Sequence, residues 1–150
     1  QGAADAQYNL GVMYHNGRGI LENDKTAMKW YTLAAEQGNA KAQYNLGVMY
    51  DNGQGVPQNY AEAMSWYRRA AETGHAKAQN NLGFLYSNGK GVPQDYITAH
   101  MWANLAASNS NDLSTGLRAI IASEMSPAEI ERAQARAAQC LASNYQDCGG

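Results

Sequence analysis

The chain is predicted to be all-α, an α-solenoid of antiparallel helix hairpins, and two features of its 150 residues carry that prediction. The first is recurrence. Ala-Gln-Tyr-Asn-Leu-Gly-Val-Met-Tyr runs from Ala6 to Tyr14 and returns unchanged from Ala42 to Tyr50. A third version, Ala-Gln-Asn-Asn-Leu-Gly-Phe-Leu-Tyr, spans Ala78 to Tyr86, so the period is 36 residues with no insertion. A period in this range marks stacked supersecondary elements, each too small to bury its own apolar face. The second feature is the spacing of apolar residues within each copy, which is helical rather than alternating.

The first helix is expected over Asp5–Asn16, where Ala6, Leu10, Met13 and Tyr14 form one apolar stripe at i, i+4, i+7 and i+8. Gly17 and Gly19 end it, since glycine takes the left-handed conformation after a helix at little cost. A second helix begins near Asp24 and carries Ala27, Trp30, Tyr31 and Ala34 at helical spacing. The next copy repeats the plan with Gly53, Gly55, Ala63, Trp66, Tyr67 and Ala70, and the third with Gly89, Gly91, Ala99, Trp102 and Ala106. Pro57 and Pro93 fall in the loops, where a fixed φ is tolerated.

Gly11, Gly47 and Gly83 lie in mid-helix, where each costs about 1 kcal/mol relative to alanine. Close approach of the partner helix is the expected compensation, with Ala34-Ala35, Ala70-Ala71 and Ala106-Ala107 as the small surfaces it meets. The periodic tryptophans Trp30, Trp66 and Trp102 are expected to pack between adjacent hairpins. The Asn9, Asn45 and Asn81 ladder is expected to make a structural hydrogen bond, with contact to a bound peptide backbone as the alternative.

After the third copy the pattern fades. Leu113, Leu117, Ile120 and Ile121 predict a helix of different sequence, and Ser126-Pro127-Ala128-Glu129 reads as a capping box opening another. That last helix presents Ile130, Ala133, Ala137 and Leu141 on one face. The expected organisation is three repeats over residues 1–112 (about 1–37, 38–73 and 74–112), then capping helices and a tail over 113–150. The opening Gln1-Gly2-Ala3-Ala4 resembles the joints Gln37-Gly38-Asn39-Ala40 and Thr73-Gly74-His75-Ala76, which predicts a further element upstream.

A net charge of -2 argues against a nucleic-acid partner, which calls for a clustered basic face. No run of 18 apolar residues is present, so no membrane-spanning helix is expected. His15, His75 and His100 share no metal-ligand spacing, and no catalytic set or cofactor motif is visible. The expectation is therefore a protein without metal or cofactor that is not an enzyme. His100 stands where the preceding copy has Met64, and it is expected to be buried and satisfied. Gly17-Arg18-Gly19 lacks the preceding strand and third glycine of a phosphate loop.

Positions that face outward on the first helices yet vary between copies are the candidates for a partner-binding groove. They are Tyr8, Val12 and His15 in the first copy, with Asp5 at the head of the stripe, then Lys41, Tyr44, Val48 and Asp51, then Lys77, Asn80, Phe84 and Ser87. The alternative for Tyr8 and Tyr44 is packing across helices. Cys140 and Cys148 are the only cysteines. Their even count and close spacing suit a disulfide, while two reduced thiols are the alternative in a reducing compartment.

Leu-Gly-x-x-Tyr, Gly-x-Gly-Val-Pro-x-Asp/Asn-Tyr, Ala-x-x-Trp and Ala-Ala-Glu-x-Gly together resemble the Sel-one-like repeat, a relative of the tetratricopeptide repeat, over residues 1 to about 112. The first copy departs at Leu21 and Asp24, and the third at His100, Ala103 and Ser110. The resemblance implies a right-handed superhelix that acts as an interaction scaffold, its concave groove holding a peptide or protein. The asparagine and lysine clamp that some tetratricopeptide relatives use for a terminal carboxylate is not matched by Tyr8, Val12, Tyr44, Val48 and Phe84. Secreted cysteine-rich members place disulfides at the joint between hairpins, and the eight-residue step from Cys140 to Cys148 looks like theirs. It implies a periplasmic or secreted protein, with a cytoplasmic one as the alternative. The rival function is small-molecule binding or weak β-lactam hydrolysis, as in cysteine-rich members, but those carry a cysteine pair in every repeat.

Overall fold

A computed structural model describes residues 2–18, 23–110 and 114–149, so Gly19, Leu21, Leu113 and the expected 112/113 boundary lie outside the described residues. Among the described residues there are eight helices and no strand, as the all-α solenoid class requires: α1 Gly2–Asn16, α2 Asp24–Glu36, α3 Ala40–Asn52, α4 Tyr60–Ala71, α5 Ala76–Asn88, α6 Tyr96–Asn109, α7 Thr115–Ser123 and α8 Pro127–Ala142. Two compact units are formed, residues 1–70 and 71–150.

In the first unit the helices start and stop where local chemistry directs. The side chains of Asn23 and Asn39 accept the backbone N–H groups of Thr26 and Ala42, satisfying donors that a helix start leaves open. Gly17 and Gly53 take positive φ (64° and 69°) just past α1 and α3. α1 begins at Gly2, earlier than the Asp5 expected from its apolar stripe. The core is built from Ala27, Tyr31, Ala34 and Ala35 of α2 against Ala42, Leu46 and Met49 of α3, with Trp66 of α4 laid on it. Trp66 thus packs between hairpins, as its periodicity implied.

The mid-helix glycines admit a different neighbour from the one expected. A methyl on Gly11 would stand 2.5 Å from Cδ1 of Tyr31, and one on Gly47 would stand under 3.0 Å from the ring of Tyr67. The flat face of a tyrosine, not an alanine pair, fills the space each glycine leaves. Ala34 and Ala35 serve instead against the next hairpin's α3. In the third copy Ala103 replaces that tyrosine, and a methyl on Gly83 would lie 3.1 Å from the Ala99 carbonyl oxygen. With no ring between them, the two backbones close up.

In the second unit α6 is buried nearly all round, from Thr98 to Ala106, because α5, α7 and α8 each pack on it. Ala99, Ala103, Ile121, Met125 and Ala133 share one core with Tyr86, Leu117 and Ile130 at its margin. Ser126 and Glu129 form the capping box, Glu129 accepting the Ser126 N–H at 2.7 Å. The buried face of α8 runs through Ala133, Ala137 and Cys140. Leu141, expected on that face, is 45% exposed, since one further residue turns its side chain about 100° away from Cys140. Ile120 is likewise open, at 68%, while its neighbour Ile121 is buried.

Candidate interaction surface

The joints that position the candidate face are each closed across eight residues. Gln43 donates its buried side-chain amide to the Ala35 carbonyl (3.0 Å), and Gln79 donates to the Ala71 carbonyl (3.0 Å). Cys140 and Cys148 occupy the same step at the end of the chain, with their Cα atoms 4.4 Å apart and their sulfurs at disulfide distance. Both cysteines are buried. The tail between them is held further by Tyr145, whose hydroxyl meets the Asn109 side-chain amide at 3.0 Å. That same amide satisfies Gln79 Oε1, also at 3.0 Å. In the first unit the corresponding Gln43 Oε1 is buried with no hydrogen-bond partner among the described residues.

Several candidate residues of the first unit are engaged within it. Tyr8 and Tyr44 are half-buried, and their rings lie 5.9 Å from those of Tyr31 and Tyr67. Val12 is half-buried against the same core. His15 Nδ1 pairs with Asp24 Oδ1 at 2.8 Å, and Asp51 accepts the Tyr67 hydroxyl at 3.2 Å. Val48 lines a hollow of about 60 Å³ with His15, Tyr31, Asn45, Met49 and Gln54. Asn45 hydrogen-bonds Tyr31, giving this rung of the asparagine ladder a structural role. Burial, with Asn45 opposing, pushes the Tyr31 phenol up to about 12, so it stays a protonated donor.

Lys41 is exposed, as is Asp5 at the head of the stripe. It stands at the rim of an open depression of about 710 Å³, with Asp5, Tyr8, Asn9 and Asn39 around it. Asn39 Nδ2 donates to Asp5 at 3.0 Å and fixes the two walls of the depression against each other. Asn39 is not among the residues expected to meet a partner. Asn9, expected to make a structural hydrogen bond with contact to a bound peptide backbone as the alternative, is exposed here.

In the second unit Asn80 is tied to the Ser114 hydroxyl at 2.9 Å, which commits its side chain to the start of α7. Ser87 turns back onto the Phe84 carbonyl at 2.9 Å. Lys77 is exposed, and so is Phe84, at 46%, with the Lys90 ammonium 5.6 Å from its ring centroid. His100 is buried at 3% exposure, but its Nδ1 has no partner among the described residues, so it is not the satisfied histidine expected. Among the described residues no group of three or more His, Cys, Asp or Glu is placed to hold a metal ion, and no helix is long and apolar enough to cross a membrane.

Several solved structures are similar to this chain. One is a Sel1 repeat protein from Oxalobacter formigenes, at 32% identity and a TM-score of 0.72 over 95% of this chain and 66% of that one. Another is a protective antigen present in uropathogenic Escherichia coli strains displaying an SLR fold, at 28% identity and a TM-score of 0.66 over 95% of this chain and 39% of that one. This chain therefore spans about two thirds of the first and about two fifths of the second. No curated protein matches it. The Sel1 repeat model matches residues 4–39, 40–75 and 76–111, most of the chain and in register with the glycine, tyrosine and alanine packing described above. The chain belongs to the Sel1 repeat family.

Proposed function

We propose that this protein is a non-catalytic interaction module that captures a peptide or protein segment on the first-helix stripe of its hairpins. Sel1 repeats generally mediate protein–protein interaction. The observation that carries the finer reading is the contrast within the stripe. Lys41, Lys77 and Phe84 are open to solvent, while the packed positions beside them, Ala42, Ala78 and Leu85, are closed. An exposed phenylalanine beside a lysine is a surface suited to an apolar side chain with an acidic neighbour. The depression beside Lys41 supplies amide donors and acceptors from Asn9 and Asn39 for an extended backbone. α7 and α8 are read as the cap that closes the apolar side of α6. The buried cysteine pair supports a periplasmic or secreted location, where such a disulfide persists.

Pull-down with mass spectrometry, using the parent and a Lys41→Glu, Lys77→Glu, Phe84→Ala variant, tests the reading. All three side chains are exposed, so circular dichroism and the melt should match the parent while capture is lost. Equal capture by the folded variant would refute the stripe. Turnover of a chromogenic β-lactam by the parent would refute the non-catalytic assignment.

A further inference from the structure

Arg132, Arg136 and Gln139 stand on one face of α8, at i, i+4 and i+7. With Ala135 and the half-buried Ile97 of α6 they line an open hollow of about 420 Å³. A smaller hollow of about 220 Å³ adjoins it, sharing Arg136 and Gln139 and walled by Asp147, Cys148 and Gly149 of the tail. The donors are held from behind. Thr98 donates its hydroxyl to the Asp95 carboxylate at 2.7 Å and accepts from Arg136 Nη1 at 3.2 Å, which anchors that guanidinium to the start of α6. On the tail side Gly149 lies so near that an added methyl would stand 3.2 Å from Arg136 Nη2.

The acidic groups nearby already have partners. Asp95 accepts the Thr98 N–H at 3.0 Å, Asp147 accepts from Gln139, and Glu129 accepts the Ser126 N–H at 2.7 Å. Arg132 makes no hydrogen bond or ion pair among the described residues, although the charge of Glu129 lies within its field. Two guanidiniums one turn apart repel each other, and an anion placed between them removes that cost. Their paired N–H groups match the two oxygens of a carboxylate. From this we propose that the α6–α8 hollow binds a carboxylate side chain of a partner polypeptide, with the apolar residue beside it laid on Ile97 and Ala135. A hollow of about 420 Å³ is of the size that takes such a pair of side chains. The net charge of -2 and the acidic groups at the rim disfavour a polyanion such as a nucleic acid. The site is separate from the first-helix stripe and stands even if that stripe binds nothing.

Titration of the full chain with acetyl-aspartyl-leucine amide, a blocked dipeptide with one carboxylate and one apolar side chain, tests the proposal by NMR. The Nε–H signals of Arg132 and Arg136 and the methyl signals of Ile97 should shift together and saturate. The asparaginyl analogue of the probe should bind about tenfold more weakly, as should the Arg132→Gln protein, since each loses charge-assisted hydrogen bonds. Arg132 is exposed, so that variant should melt with the parent. The seryl analogue, which has nothing to lay on Ile97, should bind about threefold more weakly. Equal affinity for the asparaginyl probe, or undiminished binding by the folded Arg132→Gln protein, would overturn the proposal. So would saturation by inorganic phosphate at the same concentrations, which assigns the hollow to bare anions. Shifts confined to Lys41 and Lys77 would overturn it too, because they assign the peptide to the first-helix stripe.

Discussion

Gly47 and Tyr67 are a matched pair. The ring of Tyr67 lies over Gly47 so closely that a single added methyl would stand under 3.0 Å from Cδ1 and Cε1, and 3.1 Å from Cγ. Gly11 and Tyr31 repeat the arrangement one copy earlier, and the third copy loses ring and spacing together when Ala103 takes the tyrosine's place.

Gly47→Ala should therefore destabilise the protein by about 1–3 kcal/mol by overpacking, even though alanine is the better helix former by about 1 kcal/mol. Gly47→Leu should prevent folding of the first unit. In a Tyr67→Ala background Gly47→Ala should turn neutral or stabilising, giving a large coupling energy in a double-mutant cycle of thermal melts. Additive losses would show that the ring is not what excludes the methyl.

The glutamines at the joints should differ in weight. Gln79 has both ends satisfied, by the Ala71 carbonyl and by Asn109, so Gln79→Leu strands a buried carbonyl and an amide. A loss of about 1–3 kcal/mol is expected. Gln43→Leu removes an oxygen that already has no partner among the described residues, so its cost should be smaller. Denaturant titration of the two variants compares them directly, and the opposite order would contradict the hydrogen-bond assignment.

The cysteine pair closes a short loop. Reduction, or Cys140→Ser with Cys148→Ser, should cost about 2–3 kcal/mol by the chain-entropy account. The loss should appear in the second unit, where Tyr145 and Asn109 hold the same tail. Thiol titration of unreduced, denatured protein should find no free thiol. Two free thiols would remove the support for an oxidising compartment.

His100 makes stability pH-dependent. Burial first, and the Arg118 guanidinium second, hold its imidazole below the ordinary histidine value of 6.5. The unfolded chain then binds the proton before the folded one does. This contribution is fully present above pH 6.5 and is lost as pH falls through the depressed folded value. His100→Met restores the residue type found at Met64 one repeat earlier, and its melting temperature should vary less between pH 7 and pH 5 than the parent's. An equal acid response in the variant would assign the effect to other groups.

Features set by a few neighbouring residues were legible in advance. The glycine stops and the capping box before α8 act within about one helical turn, and the period repeats them in order, so a linear reading finds them. The candidate face was legible only in part. Lys41, Lys77 and Phe84 are open as expected, but Asp51, His15 and Asn80 spend their polar groups on Tyr67, Asp24 and Ser114. Those partners come from elsewhere in the chain, and neither periodicity nor composition names them.

By itself the sequence determined the hairpin, its repetition, the glycine stops and the capping box, because these follow from local backbone preference and the 36-residue period. Tertiary structure decided which copy of each residue is buried. Ala6–Tyr14 and Ala42–Tyr50 are the same peptide, yet Met13 is 38% exposed and Met49 2%, and on α8 Cys140 is inward while Leu141 is out. Burial belongs to the neighbour that arrives rather than to the residue itself, so identical segments meet opposite fates wherever the adjoining helix differs.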